Sequence, residues 1–175
     1  MRNTVGWQVE GPSAALRRTP LKRRDLRPDD LAVQVDYCGV CSTDLHAVSA
    51  RDGKRGEPLV PGHEFTGVVT EIGPAVTRFA VGDPVAVGNI VDSCGECAMC
   101  RAGQENFCHA FPTLTYDGTD RHDGSNTLGA TPASTSSATV SPTPSPRSWI
   151  RLPPLLCSAP GSPSGNRSRH SAWGA

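Results

Sequence analysis

The feature that most constrains this chain is Cys94-x2-Cys97-x2-Cys100-x7-Cys108, four thiols within fifteen residues, with Gly95 and Gly103 available for tight backbone reversals. Four thiolates at about 2.3 Å around a tetrahedral Zn2+ complete its coordination sphere, so such a site holds a lobe together and leaves no position for water or substrate. Two other readings remain open: an iron–sulfur cluster, which also takes four cysteines, and free buried thiols. The total of seven cysteines is odd. With cysteines at metal-ligand spacing in one short segment, bound metal in a reducing compartment suits the chain better than a disulfide framework.

Charge divides the chain in two. All 17 acidic residues lie in residues 1–129, which carry 13 basic residues and a net charge of −4, whereas the last 46 residues carry +4. The whole is neutral with a pI near 6.9, so nothing draws it as a body to nucleic acid or an anionic membrane. No window approaches the run of about 18 apolar residues a membrane helix requires, and no apolar segment follows the N-terminal charges as in a secretory signal. A cytoplasmic protein is expected. Residues 130–175 contain 11 Ser and 8 Pro with no Asp, Glu or Lys. Such a segment buries too little apolar surface to offset its ordering entropy, and it reads as a disordered tail after a domain at 1–129.

Residues 1–129 alternate short β-rich runs with Gly/Pro turns. Leu31–Tyr37, Phe65–Ile72 and Val85–Val87 read as strands, which predicts a mainly β fold, a small irregular barrel or sandwich. The stretch from Asp92 to Cys108 has too many Cys and Gly for a regular element and reads as a metal-shaped loop. A short helical turn at Thr43–Val48 is expected, capped by Ser42 or Thr43, with Asp44 favouring its first turn.

A second constellation is Cys38-Gly-Val-Cys41-Ser-Thr-Asp44-Leu-His46, followed about twenty residues on by Pro61-Gly-His63-Glu64-Phe-Thr-Gly67. Cys38-x2-Cys41 could be a redox pair, but no βαβ context accompanies it. A Cys and a His on separate loops, each beside a carboxylate, suit an open catalytic zinc. Cys41 and His63 would be its ligands, with Asp44 or Glu64 orienting the imidazole. Thr43 and His46 could then pass a proton between a bound alcohol and solvent. The plainer readings are a helix cap for Thr43 and a surface imidazole for His46.

Residues 25–129 resemble the zinc-binding catalytic domain of the medium-chain, zinc-dependent alcohol dehydrogenases, whose fold is a GroES-like (chaperonin-10-like) β-barrel. Gly62-His63-Glu64-x2-Gly67-x5-Gly73-x2-Val76 fits the family's zinc signature, and the four-Cys lobe fits its structural zinc site. Val91-Asp-Ser-Cys94 and Tyr116 through Gly124 resemble the cinnamyl-alcohol-dehydrogenase-like branch, typically NADP(H)-dependent aldehyde reductases. The resemblance implies Cys41 and His63 as catalytic zinc ligands, Glu64 as an alternate or neighbouring ligand, and a hydrogen bond between Asp44 and His63, the carboxylate accepting. It implies Thr43 as the relay hydroxyl on the substrate oxygen and His46 as the relay's outer base. Cys94, Cys97, Cys100 and Cys108 would hold the structural zinc, and Cys38 would be a small buried residue. Substrates would be small alcohols or aldehydes, with NADP(H) or NAD(H) as hydride carrier. Ser42 departs from the pattern, because relatives usually carry His or Arg there, near the cofactor phosphates.

No strand–GxGxxG–helix unit occurs in these 175 residues, so no cofactor-binding residues can be assigned and the Rossmann domain is absent from them. Relatives also take a further Cys ligand from downstream of the matched region; Cys157 lies downstream but in no matching motif. The expectation is a truncated dehydrogenase, inactive by itself, and the competing reading is a non-catalytic zinc module built on the four-Cys lobe. Read one frame out of phase, codons from Leu152–Pro153 onward permit the run AAAPLLCAGITVWEPL, which resembles the family's segment just ahead of its nucleotide-binding domain. The tail is therefore expected to be a frameshifted reading that begins near Gly129, with the missing Cys encoded across Ser158 and Ala159.

Overall fold

A computed structural model describes residues 1–11, 14–49, 58–130, 137–140 and 149–151. The first hairpin pairs β1 (Arg2–Gln8) with β2 (Arg17–Arg23). The main sheet is antiparallel and built around β3 (Leu31–Cys38), β4 (Phe65–Ile72) and β5 (Pro84–Val87). Its alternating pattern follows from the strand period of two: Leu31, Val33 and Val35 of β3 and Phe65 and Val69 of β4 point inward, meeting Val85 and Val87 of β5. Phe79, Val91 and Ala130 complete that core. Between β3 and β4 comes the helix α1 (Ser42–Ser49), one residue longer at each end than expected. The three expected strands are present, and the mainly β class with them.

The register of β3 against β4 sets up the chemistry. It runs from Leu31 opposite Ile72 to Cys38 opposite Phe65, with irregularities at Ala32/Val33 and Val35/Tyr37. Such bulges re-aim a strand end. Here the chain leaving β3 lies beside the chain entering β4, and the Gly39 N–H donates to the Glu64 carbonyl at 2.7 Å.

After β5, the short β6 (Ile90–Asp92) pairs with β7 (Thr113–Leu114) and frames the cysteine segment. That segment is more regular than expected: α2 (Ala98–Arg101) and a 3-10 turn at Glu105–Phe107 lie inside it. The reason is local. Cys97 caps α2, its sulfur accepting the Cys100 N–H in place of the usual side-chain oxygen.

The sheet is extended by β8 (Ser137–Val140) on β3 and β9 (Trp149–Arg151) on β5, giving the order β8-β3-β4-β5-β9. Both stretches fall in the segment for which composition predicts no order. They occupy the two edges, where β3 and β5 would otherwise present unpaired backbone groups. The rest of 131–175, Cys157 included, lies outside the described residues. No helix among the described residues is long and apolar enough to cross a membrane.

Ion pairs brace the base of the fold. Asp30 is fully buried, receives the Arg27 N–H at 2.7 Å and pairs with the guanidinium of Arg24. Arg27 also reaches Asp120 at 2.9 Å and Asp123 at 2.7 Å, tying the loop after β7 to the β2–β3 connection.

Candidate metal centres

The Cys94, Cys97, Cys100 and Cys108 sulfurs all lie within 4.8 Å of one another. Cys94–Cys100 is 3.8 Å and Cys97–Cys100 is 3.5 Å. A tetrahedron with bonds of about 2.3 Å has edges of about 3.8 Å, so the donor set fits one tetrahedral ion rather than a multi-iron cluster. Backbone N–H groups already face the sulfurs: Cys97 donates to Cys94 at 3.4 Å, His109 to Cys97 at 3.5 Å and Cys94 to Cys108 at 3.5 Å. The N–H groups of His109 and Cys100 lower the Cys97 thiol to about 6, and those of Cys97 and Glu96 lower Cys94. Cys100, in contrast, is pushed up to about 11 by burial. An ion there would take deprotonated sulfur from all four, the buried Cys100 included.

The second cluster joins the two loops that the β3–β4 register places side by side. The donor atoms of Cys41, His63 and Glu64 lie within 4.8 Å of one another, with His63 Nε2 at 3.9 Å from Glu64 Oε1. Cys41 sits immediately before α1, so its sulfur is at the helix N-terminus, where N–H groups and the macrodipole favour an anion. The Thr43 N–H, the His63 imidazole and the Thr43 hydroxyl lower this thiol to about 7. The Thr43 hydroxyl lies 3.7 Å from Cys41 Sγ. A soft thiolate, an imidazole and a carboxylate on converging loops form a donor set that suits zinc and leaves room for an exogenous oxygen. Cys38, expected to be buried, is only partly so; it packs against the core outside the Cys41–His63–Glu64 group, and desolvation pushes its thiol up to about 11.

Asp44 acts differently from expectation. The expected hydrogen bond to His63 is replaced by two to the main chain: Oδ2 accepts the Cys41 N–H at 2.9 Å and Oδ1 the Gly62 N–H at 3.0 Å. As the third residue of α1 reaching back to the residue before the helix, it forms half of a capping box. Its other oxygen holds the loop that carries His63. One buried carboxylate thus clamps the backbones beside Cys41 and His63 together. Gly62 is in the left-handed region at φ 101°, which lets the chain turn into His63. Gly129 packs so closely on Pro61 that a Cβ would meet its carbonyl oxygen at 2.4 Å. Thr43 and His46 are exposed on α1, three residues apart and therefore on neighbouring positions of one face.

Sequence reasoning missed Tyr116. Its ring is stacked on His63 with centroids 5.1 Å apart and planes 5° from parallel. Burial, and then the charge of Asp44, hold its phenol well above the usual range. Only its place in the branch-specific segment after β7 marked it in the sequence.

Comparison with known proteins bears on residues 27–142, which match the family described as the alcohol dehydrogenase GroES-like domain. Cinnamyl alcohol dehydrogenase 7 of Oryza sativa subsp. japonica is 44% identical over 128 residues, covering 73% of this chain and 34% of that protein. NADP-dependent alcohol dehydrogenase C 1 of Mycolicibacterium smegmatis is 46% identical over 130 residues, covering 74% of this chain and 37% of the relative. Among solved structures, a cinnamyl alcohol dehydrogenase from Sorghum bicolor superposes with a TM-score of 0.75 at 36% identity, over 87% of this chain and 41% of that one. The chain therefore spans about a third of the length of the curated relatives it matches.

Proposed function

The chain belongs to the zinc-dependent alcohol dehydrogenases with a GroES-like domain, in the cinnamyl-alcohol-dehydrogenase-like branch, and on that premise we propose that it carries the metal- and substrate-binding part of an alcohol/aldehyde oxidoreductase linked to NADP(H). The observation that carries this reading is the convergence of Cys41, His63 and Glu64 donor atoms within 4.8 Å, beside an exposed hydroxyl on Thr43.

Zinc at that cluster would supply a Lewis acid for a carbonyl or alcohol oxygen, and a nicotinamide would be the hydride carrier. The protein's own groups do the rest. Cys41 and His63 would hold the ion, with Glu64 close enough to join or leave the donor set. Asp44 keeps the two ligand loops at fixed separation through its bonds to the Cys41 and Gly62 N–H groups. Thr43 offers a hydroxyl that accepts a proton from, or donates one to, the substrate oxygen. His46 follows it on the exposed face of α1 and exchanges that proton with solvent. The four-Cys lobe is structural.

Metal content separates this reading from a module that keeps only the lobe. The 175-residue chain, purified without chelator, is expected to hold two zinc ions, falling to one in His63→Ala. One zinc per wild-type chain would favour the non-catalytic module. The polypeptide by itself is expected not to reduce aldehydes with NADPH, because nothing in its sequence marks a dinucleotide fold that could hold the nicotinamide at the reach of about 3–3.5 Å that hydride transfer needs. Zinc-dependent aldehyde reduction by the purified chain would overturn that expectation.

A further inference from the structure

We propose that Tyr116 is a positioning residue for the Cys41–His63–Glu64 centre: its ring, stacked on His63 and anchored to α1, fixes the plane in which the imidazole offers its ligand nitrogen. This rests on reading that cluster as a metal centre.

A ligating histidine usually has its second nitrogen held by a carboxylate or carbonyl, which sets the ring's orientation. The carboxylate expected to do this, Asp44, spends both oxygens on main-chain N–H groups. His63 is buried, and the ring on its face is Tyr116, parallel within 5° at 5.1 Å, an offset-stacked geometry that is favourable for aromatic pairs.

Tyr116 can impose an orientation because it is itself held. It forms a small core with Val9 and Leu59, against which Ala47 and Val48 of α1 pack. Val9 and Leu59 are joined by reciprocal backbone hydrogen bonds of 2.8 and 2.9 Å. The backbone on either side of Tyr116 is pinned as well: the Thr115 N–H donates to the Asn89 carbonyl at 3.0 Å and the Asp117 N–H to the Thr127 carbonyl at 3.1 Å. The helix that packs Ala47 and Val48 against this small core is the one whose N-terminus bears Cys41. One ring therefore sets the attitude of one ligand against the element that carries the other. The phenol hydroxyl is buried near Asp44 but makes no hydrogen bond of good geometry, so the ring face carries the positioning.

The test is Co2+ titration of the metal-depleted full chain, followed by thiolate charge-transfer and d–d absorption, with the tetrathiolate band of the lobe as an internal check on folding. Tyr116→Phe keeps the stack and is expected to bind the second cobalt as the wild type does. Tyr116→Leu is expected to bind it on the order of 10–100-fold more weakly, with a broadened d–d envelope, while the lobe band is unchanged. Equal affinity and an unchanged envelope in Tyr116→Leu, with two cobalt ions in the wild type, would overturn the positioning role alone. A wild type that binds cobalt only in the lobe would overturn the metal-centre reading beneath it. If Tyr116→Leu also loses the lobe band, the decision passes to the metal-free wild type labelled at histidine. There the His63 Cε1 proton is expected to show an upfield ring-current shift that the other histidines lack, and its absence refutes the stack.

Discussion

Replacing Cys108 with Ser tests whether metal organises the lobe. Between residues 94 and 111 the buried side chains are Cys100, Glu105 and Cys108, while Phe107 and Phe111 are 64% and 69% exposed. No Leu, Val, Ile or Phe in that stretch supplies the ~1.5–3 kcal/mol that full burial of such a side chain contributes. A structural zinc contributes apparent binding energy of about 10–16 kcal/mol, and that energy is folding energy. The hydrogen bond Cys108 accepts from the Cys94 N–H, at 3.5 Å, is worth about 1 kcal/mol, and a serine hydroxyl can accept it in part. The metal term therefore decides, even if only a fraction of it is lost. Cys108 is also the one candidate ligand delivered from beyond the 3-10 turn, so its loss frees the far limb of the lobe. Zinc per chain is expected to fall by one, measured by elemental analysis after gel filtration. Limited proteolysis is expected to cut within residues 92–110 while the β3–β4–β5 region survives. Unchanged zinc and unchanged protease resistance in Cys108→Ser would refute the reasoning.

Further outcomes follow from other features. In metal-free protein, Cys41 is expected to be alkylated at half its maximal rate near pH 7 and Cys38 only well above pH 9, read by peptide mass mapping across pH; identical profiles for the two would contradict their opposite environments. Because the Cys41 value is depressed on folding, its thiolate favours the metal-free native state above its ordinary value near 9, and that contribution is lost as pH falls through about 7, so metal-free stability should decline over that window. Arg23 is half-buried, its guanidinium lowered to about 10 by desolvation, and donates to the carbonyls of Leu128 and Gly129 at 2.6 and 2.5 Å. Arg23→Met leaves those carbonyls unpaired and is expected to cost ~1–3 kcal/mol in urea denaturation; a loss below the error of the measurement would show that water replaces it. The frameshift reading predicts that DNA past codon 129 encodes a dehydrogenase-like continuation in another frame, and a sequenced locus without one ends that proposal.

Some elements of this protein are written locally in its sequence. The lobe needs four thiols within fifteen residues and two flexible turns, a pattern whose geometry the intervening backbone nearly dictates. The strands of the main sheet show as alternating β-branched runs, and the start of α1 shows through its polar first turn. Cys41 and His63 were legible because residue types and family-like spacing mark them even though they stand 22 positions apart. The last segment was less legible. Its Ser and Pro content describes average solvation and does not register that four residues at 137–140 and three at 149–151 can pair with open strand edges.

The tertiary structure decided how the second centre is held. Asp44 bonds to Gly62 across 18 residues, and Tyr116 meets His63 across a longer interval still. Neither contact leaves a periodic or motif signature, because both depend on the β3–β4 register and on where the loop after β7 returns. A carboxylate beside a ligand in sequence can orient an imidazole or clamp a backbone, and only the path of the second loop selects between them. The sequence by itself determined which groups could bind metal, since ligand chemistry belongs to side-chain type. Their orientation came from packing, since it is set by whichever distant residues the fold brings against them.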